Sequence, residues 1–504
     1  MDNHQLNKDK APLYEALIQY RNSKKHTYHV PGHKNGQVYS NLAQGTLLQE
    51  VMKIDATEIT GLDDLHHPES VIKEAQQLAA DCFGAEESFF LVGGSTSGNI
   101  ALLLTVCTEP GDLILVQRNV HKSVIHGLML AGAHAVFLAP EVDPSSGLAT
   151  APAKSTIEEA LQAYPNAKGV FITMPNYYGM GFDLSDIAAT CHKAGVPLLV
   201  DEAHGAHYGQ HPALPGSALT AGADGVVQST HKMLSAMTMG AMLHVQGNLL
   251  DRELLKQRLS MIQSSSPSYP IMASLDLARL HLHKHGEKAF STGLAAVHMV
   301  RRGIEDLPRF GLLDPLREAE AYTVQDPFKL VIYDKEKLLK GYELQDKLEE
   351  QDCVPEMSDE TYVVLLFSLG STEEDARHLL KALVHISLEE GPEETKQHHK
   401  SESTATHHVS TWNILHSSVY SCPVPFHLGK IKKEQKEKIS ITKASNRISA
   451  EMVIPYPPGI PILYPGEEIS ENMRNHLIKL RDSGAKIQGT ADSSLETIWV
   501  MVEE

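Results

Sequence analysis

The chain has 504 residues, enough for a sizeable core and two or three structural units, and its 42% hydrophobic and 21% charged content is ordinary for a globular protein. The formal net charge of −19 argues against nucleic acid as a partner, and the lysine-rich stretch 430–438 is interrupted by glutamates. No apolar run reaches the roughly 18–20 residues of a membrane span. Residues 1–10 contain no apolar signal core, so we expect a cytoplasmic protein without membrane association.

The cysteines form no CxxC pair and are an odd number, which predicts free thiols in a reducing compartment. They are Cys82, Cys107, Cys191, Cys353 and Cys422.

Short β-branched apolar runs alternate with helical patterns between about residue 70 and residue 240. This pattern is typical of buried parallel strands and predicts an α/β fold with a largely parallel central sheet. The predicted strands are 89–92, 113–116, 135–138, 169–172, 198–200 and 225–227.

Changes in composition divide the chain into five predicted segments. One of them, at 389–410, is a predicted linker rich in Glu, Ser, Thr and His. Its histidines (His398, His399, His407 and His408) do not predict a metal site, because flexible polar surroundings favour only incidental binding. The segments are an N-terminal segment at 1–40, a large domain at 41–285, a small α+β domain at 286–388, the linker at 389–410 and a C-terminal domain at 411–504.

Two charged residues follow predicted strands. Lys232 ends the segment Ser229–Lys232, directly after the strand 225–227, where a lysine between hydroxyls and a histidine suits a covalent nucleophile with a phosphate nearby. Asp201 directly follows the strand 198–200, at the strand end where ligands of open α/β sheets bind. A carboxylate there would keep a pyridine nitrogen protonated, and Ala203 would let a ring lie flat.

A glycine-rich turn and a histidine complete the pattern. Gly93–Asn99 stands between a strand and a helix, where hydroxyls and amides can bind a phosphate, although it is neither a Walker loop nor a dinucleotide fingerprint. His121 follows the strand 113–116 and would stack on a ring. Each feature alone has an ordinary structural explanation, but their order predicts a pyridoxal-5′-phosphate (PLP) enzyme of the aspartate-aminotransferase-like fold.

Several segments resemble the bacterial ornithine/lysine/arginine decarboxylases of PLP fold type I, and the resemblance covers nearly the whole chain. Besides the motifs above, the segments that carry it are Tyr28–Gly36, Glu58–Pro68, Asn119–Ser123, Pro175–Gly179, Ser264–Tyr269, Arg447–Glu451 and Pro455–Pro461. The short N-terminal part before Pro31 resembles the biosynthetic members rather than the acid-response members with an additional N-terminal domain, so their large decamers are not assumed.

The resemblance implies a role for each matching residue. Lys232 would bind the cofactor as a Schiff base, Asp201 would pair with the pyridinium nitrogen and His121 would stack on the ring. His204 would lie beside the ring, and His231 would also lie near the reacting carbon. The phosphate would be bound by Ser95, Thr96, Ser229, His231 and, from the neighbouring subunit, Ser265, which implies at least a homodimer with composite active sites.

The implied reaction is decarboxylation of a basic amino acid, with His231 or Lys232 returning a proton to the substrate. Arginine, giving agmatine for polyamine biosynthesis, is the first candidate, lysine the second and ornithine the third. Asp63, Asp64 and Glu451 are candidate partners for the cationic end of the substrate, although each also fits an ordinary surface carboxylate or cap. An aminotransferase or aldolase with the same core residues, and a non-catalytic PLP-fold regulatory protein, remain alternatives.

Overall fold

The computed structural model describes residues 6–23, 25–315, 323–389, 419–429, 431–456, 460–482 and 484–502. Apart from Glu389, the predicted linker at 389–410 lies outside the described residues, as do its four histidines. Residues 457–459, within the segment Pro455–Pro461, also lie outside them.

The described strands are, in chain order, β1 Glu87–Leu91, β2 Leu113–Gln117, β3 His134–Leu138, β4 Val170–Thr173, β5 Met180–Gly181, β6 Leu198–Asp201, β7 Gly225–Gln228, β8 Ala241–Val245, β9 Phe310–Leu312, β10 Val324–Gln325, β11 Lys329–Asp334, β12 Met357–Ser358, β13 Tyr362–Leu366, β14 Val424–Pro425, β15 Lys436–Ser440, β16 Arg447–Ile448, β17 Ile454–Pro455, β18 Glu468–Ile469, β19 Ile487–Gln488 and β20 Thr497–Met501.

The described α-helices are α1 Pro12–Asn22, α2 Thr46–Met52, α3 Val71–Phe83, α4 Gly94–Val106, α5 Lys122–Ala131, α6 Lys154–Ala163, α7 Ser185–Lys193, α8 Thr230–Met233, α9 Arg252–Ile262, α10 Tyr269–His285, α11 Ser291–Glu305, α12 Gly341–Glu349, α13 Glu373–Glu389 and α14 Glu471–Asp482. None of them is long and apolar enough to cross a bilayer.

A large sheet of eight strands forms the centre of the molecule, in the order β1-β8-β7-β6-β4-β2-β3-β14. The strands from β7 to β3 are parallel to one another, whereas the pairs β1–β8, β8–β7 and β14–β3 are antiparallel. All six predicted strands belong to this sheet. β8 is not among them, because His244 interrupts its short apolar run. The β-branched strands are buried on both faces, as helix-covered parallel sheets are.

Helix α4 lies against this sheet and is apolar on nearly every side, with Ile100–Leu103 buried against helices α5 and α9 and strand β8. A helix without a polar face can only be stable in such a fully buried position. The first turn of α4 is thereby held at one end of the sheet, next to the carboxyl ends of the parallel strands.

A smaller antiparallel sheet, in the order β12-β13-β11-β9, follows the large sheet in the chain. Strand β10, just before β11 in the chain, pairs with β5, which follows the large-sheet strand β4. This connection brings residues near 326–329 close to residues near 179, far apart in sequence.

The C-terminal part contains three short antiparallel pairs, β15–β20, β16–β18 and β17–β19, around helix α14. It is joined to the large sheet by the buried Arg118, which follows β2. The guanidinium lies 2.9 Å from the carboxylate of Glu467, donates to the carbonyl of Ile462 and stands 4.1 Å above the ring centre of Tyr464. Such a paired and stacked guanidinium holds the C-terminal part in one position against the large sheet.

Candidate active site

A small cleft opens at the carboxyl ends of the parallel strands, and we call it the central cleft. The lining residues come from different loops that meet at this edge, as expected for an open α/β sheet. They are Ser95, His121, Thr173, Pro175, Tyr177, Asp201, Ala203, His204 and Lys232.

Asp201 is the last residue of β6 and is buried. Its Oδ2 accepts a hydrogen bond from Nδ2 of Asn99 at 2.8 Å, and its Oδ1 accepts one from the backbone of Ala203. Burial raises the pKa of Asp201, while the charge of Lys232 and the Asn99 hydrogen bond oppose that rise. A cationic N–H group in the cleft would relieve the cost of burying this carboxylate.

Lys232 lies in the short helix α8, which directly follows β7. Its Nζ lies 3.1 Å from Nε2 of His204 and 5.9 Å from the ring centre of Tyr177. Burial lowers the pKa of Lys232, although Asp201 and Glu356 act in the opposite direction. A lysine with a lowered pKa has a larger neutral fraction and is the better nucleophile.

His121 stands at the N-cap of α5, where its ring accepts a hydrogen bond from the backbone of Ser123. Nδ1 also lies 2.9 Å from Oγ of Ser123. Burial, followed by the charge of Lys232, lowers the pKa of His121 to about 4. The ring is therefore neutral near pH 7 and presents an uncharged face to the cleft.

The first turn of α4 supplies Ser95 to the cleft, while Thr96 is exposed beside it. Gly94 has φ +71, a backbone conformation that side chains disfavour and that makes the tight turn from β1 into the helix. The start of this helix and the hydroxyls of Ser95 and Thr96 can bind an anion.

Ser229 and His231 flank Lys232 without lining the cleft themselves. The buried Ser229 Oγ has no hydrogen-bond partner among the described residues. His231 Nδ1 lies 3.0 Å from the carbonyl oxygen of Gly240. Since a buried hydroxyl without a partner is costly, Ser229 fits a site completed by an additional acceptor such as a phosphate oxygen. The orphaned hydroxyl, the buried carboxylate and the neutral ring together fit PLP.

Three residues near the cleft were not predicted. Tyr177 lies beside both Lys232 and His204, with its ring centre 5.9 Å from Nζ of Lys232 and 4.9 Å from the ring centre of His204. Lys329 begins β11 and is completely buried, with Nζ 3.0 Å from Nδ1 of His204. The negative charge of Glu356 opposes the burial-driven fall in pKa of Lys232 and of Lys329.

The candidate substrate carboxylates lie elsewhere in this chain. Asp63 accepts several backbone N–H bonds at the start of α3, and these donors outweigh burial and lower its pKa. Glu451 accepts from the backbones of Ala491 and Trp499 in the C-terminal part. Asp64 accepts from the backbone of His66. None of the three is among the residues that line the central cleft.

Ser265 is likewise not among the residues that line the central cleft. It lies in the exposed stretch Ser264–Ser266, between α9 and α10. Its predicted role is to complete the cleft of a second subunit, and that role stays a prediction.

Two family descriptions match this sequence. "Orn/Lys/Arg decarboxylase, major domain" matches residues 11–375, and "Orn/Lys/Arg decarboxylase, C-terminal domain" matches residues 427–491.

Two curated relatives are similar over nearly their whole length. The uncharacterized protein YaaO of Bacillus subtilis (strain 168) is 42% identical over 98% of this chain and 99% of that protein. The arginine decarboxylase of Bacillus anthracis is 33% identical over 99% of both chains.

Among solved structures, the constitutive lysine decarboxylase of E. coli aligns with a TM-score of 0.78 and 22% identity, over 99% of this chain and 82% of that chain. This likeness concerns the fold, and it confirms the fold class predicted from the sequence.

Proposed function

Because the chain belongs to the Orn/Lys/Arg decarboxylase family and is thus a PLP-dependent amino-acid decarboxylase, we propose that it converts arginine to agmatine and CO₂. Lysine and ornithine are the next candidates. The arginine assignment is supported by the arginine decarboxylase of Bacillus anthracis, which is similar along its whole length. Agmatine formation would make this a step of polyamine biosynthesis.

The observation that carries the proposal is the meeting of Asp201 and Lys232 in one buried cleft, at the ends of neighbouring strands β6 and β7. Lys232 would bind the cofactor covalently, and Asp201 would hold the proton on the pyridine nitrogen. His121 would cover one ring face, while Ala203 leaves room on the other. Ser95, Thr96, Ser229 and His231 would bind the phosphate.

When bound, PLP accepts the electron pair that remains on the α-carbon after CO₂ departs. The protein contributes electrostatics and proton transfer. Asn99 and the backbone of Ala203 donate to Asp201 and favour its charged form, which would hold a proton on the ring nitrogen of the bound cofactor. Lys232 or His231 would return a proton to the α-carbon.

Glu356 is a further candidate, besides Asp63, Asp64 and Glu451, for the partner of the cationic end of the substrate. Burial lowers the pKa of Lys232, Lys329 and His231, and the negative charge of Glu356 opposes that fall in each of them. A carboxylate so placed would attract a guanidinium or ammonium group into the cleft.

We further propose a homodimer in which Ser265 of each subunit completes the phosphate site of the other. Ser264–Ser266 is exposed, and large apolar side chains are exposed in the N-terminal part and between residues 237 and 261. Tyr28 is 93% exposed, and Leu47, Met239 and Met261 are also well exposed. Such a surface is typical of an interface that a second copy covers.

We propose a cytoplasmic location, which the state of the cysteines supports. All five are described and none is in a disulfide. Burial raises the pKa of Cys82 to about 11, so its thiol is inert at neutral pH.

The test is CO₂ release from arginine, lysine and ornithine, measured side by side with purified protein and PLP. We expect turnover of arginine above the other two, and none in Lys232→Ala, while the surface variant Lys284→Ala keeps full activity. Preference for lysine or ornithine would overturn the substrate assignment. Stoichiometric conversion of the cofactor to its pyridoxamine form without CO₂ would indicate an aminotransferase and overturn the reaction.

A further inference from the structure

The connection between β2 and α5 carries His121, and the C-terminal part contacts this connection on both sides of that residue. Arg118, at the start of the connection, is paired with Glu467 at 2.9 Å. Lys122, the residue after His121, has its Nζ 3.5 Å from Oε1 of Gln488. The ring proposed to cover the cofactor is therefore flanked along the chain by two residues that the C-terminal part contacts.

The guanidinium of Arg118 binds several groups of one loop in the C-terminal part. Nη2 donates to the carboxylate of Glu467 at 2.9 Å and to the carbonyl of Ile462 at 3.0 Å, and Nη1 donates to the carbonyl of Pro461 at 3.3 Å. The hydroxyl of Tyr464 in turn lies 3.5 Å from the carbonyl oxygen of Arg118. The same loop thus holds both the side chain and the backbone at the start of the connection.

Apolar packing restricts the connection further. The ring of Tyr464 is stacked on that of Phe137 in β3, with centres 4.9 Å apart, and the guanidinium of Arg118 lies within 5 Å of both ring centres. Val120, the residue before His121, is completely buried in the same apolar cluster as these two rings. The backbone between Arg118 and His121 therefore cannot shift without disturbing the contact with the C-terminal part.

Stability alone does not explain a charged pair at this position. The side chains of Arg118 and Glu467 are 4% and 5% exposed, yet Nε of the arginine and Oε1 of the glutamate have no hydrogen-bond partner among the described residues. A buried ion pair with unsatisfied atoms contributes little to stability, and well-packed apolar residues often serve as well. What the charged pair adds is a directional contact that fixes one geometry, close before His121 in the chain.

We propose that Arg118 and Glu467 are positioning residues for His121: the pair fixes the start of the connection, so that the ring of His121 is held at the face of the cofactor. The inference rests on the proposed role of His121 in stacking on the cofactor ring. Its consequence is that the C-terminal part contributes to cofactor binding, although none of its described residues is among those that line the central cleft.

The test replaces the pair by apolar residues, Arg118→Met together with Glu467→Leu, so that no unpaired charge remains buried. We expect the Kd for PLP of the cofactor-free protein, measured well below the unfolding temperature, to rise about 2- to 10-fold, which is the range of an aromatic stacking contact. The visible circular dichroism per bound PLP should also fall, because an achiral ring acquires this signal only from fixed, asymmetric surroundings. A pair that only joins the two parts of the protein would leave both quantities unchanged.

Glu467→Gln keeps the shape of the side chain and one acceptor oxygen, so it should give smaller changes in the same direction even if the apolar variant does not fold. A matched control is Arg309→Met with Asp334→Asn, at a buried pair 2.9 Å apart in the small sheet, which should leave the Kd for PLP unchanged. An equal rise in this control would show a general effect of losing a buried pair and would overturn the inference. Unchanged Kd and circular dichroism in the folded variants of the Arg118–Glu467 pair would overturn it as well.

His121→Ala shows whether the pair acts through that ring. Adding Arg118→Met and Glu467→Leu to His121→Ala should raise the Kd for PLP no further. A further rise as large as in the parent protein would mean that the pair acts by another route, against the inference.

The same variant separates the inference from the proposed function. If His121→Ala alone leaves the Kd for PLP unchanged, the stacking role of His121 fails and the inference fails with it. A raised Kd in His121→Ala with no change in the pair variants overturns only the inference. A parent protein that binds no PLP overturns the proposed function itself.

Discussion

Asn99 donates from one amide nitrogen to Oδ2 of Asp201 at 2.8 Å and to Oγ of Ser123 at 3.0 Å. Ser123 in turn lies 2.9 Å from Nδ1 of His121. One buried amide thereby connects the carboxylate at the end of β6 with the ring at the start of α5. The last residue of the glycine-rich turn thus orients the two groups proposed to hold the cofactor ring.

Replacing Asn99 by Ala should weaken cofactor binding and decarboxylation together. The variant removes a hydrogen bond to a buried carboxylate. Such a bond typically contributes about 1.5–3 kcal/mol, which corresponds to roughly a 10- to 100-fold loss of cofactor affinity. It should also raise the pKa of Asp201 further, because Asn99 is one of the groups that lower it. PLP titration of the cofactor-free protein and steady-state kinetics measure the two effects.

Ser123→Ala is the matched control, since it breaks the connection to His121 but leaves the Asn99–Asp201 bond intact. Its effect on cofactor affinity should be the smaller of the two. Equal effects in both variants would contradict the importance of the Asp201 bond.

Glu356→Gln should raise KM for arginine by about 10-fold or more, with a smaller change in kcat, because a charge-assisted hydrogen bond to the substrate is lost. Glu349→Gln, a substitution at an exposed glutamate of α12, is the control. If KM does not change in Glu356→Gln, another residue recognises the cationic end.

The stability of the protein should fall with decreasing pH in a way that depends on His244. This buried ring lies between Ser88 and Gln228, and burial lowers its pKa to about 3. The unfolded chain, with an ordinary histidine pKa near 6.5, binds a proton that the folded chain does not. The stabilisation is therefore complete above pH 6.5 and is lost progressively from pH 6.5 to pH 3, by about 1.4 kcal/mol per pH unit for this histidine.

Unfolding measured between pH 6.5 and pH 4.5 should accordingly show a flatter decline of stability in His244→Gln than in the parent protein. The exposed His378→Gln provides the comparison. Parallel declines for all three proteins would mean that His244 is already charged in the folded state.

Subunit mixing tests the proposed composite site. Lys232→Ala should be nearly inactive, and so should a variant with alanine at Ser264, Ser265 and Ser266. A random mixture of the two should recover about a quarter of the parent activity, because half of the dimers then contain one intact site out of two. No recovery after unfolding and refolding together would contradict sharing of the site between subunits.

The parallel strands and the residues that follow them were predictable, because their apolar runs and the adjoining Asp201, Lys232 and Gly93–Asn99 are local in sequence. Asn99 was within a predicted motif, but its contact with Asp201 depends on how α4 packs across the sheet. The roles of the predicted site residues remain predictions, as do the domain boundaries.

Lys329 and Glu356 were not predictable in the same way. Lys329 contacts His204 from the small sheet, and Glu356 acts on the cleft lysine only through its charge. Their distance from Lys232 along the chain leaves no spacing rule to apply. A weak signal existed for Lys329, since a charged residue begins the otherwise apolar run Leu330–Ile332. Nothing in the segment around Glu356 distinguishes it from other exposed glutamates.

Strand β3 would be the open edge of the large sheet if β14 did not pair with it, Val424 opposite Ala135 and Pro425 opposite His134. Tyr420 extends this cover by pairing with Leu138, and Phe426 packs edge-on against Phe137. An uncovered strand edge is a template for pairing with other chains. The returning C-terminal segment therefore also protects against aggregation, and a fragment that ends before it would be prone to form insoluble assemblies.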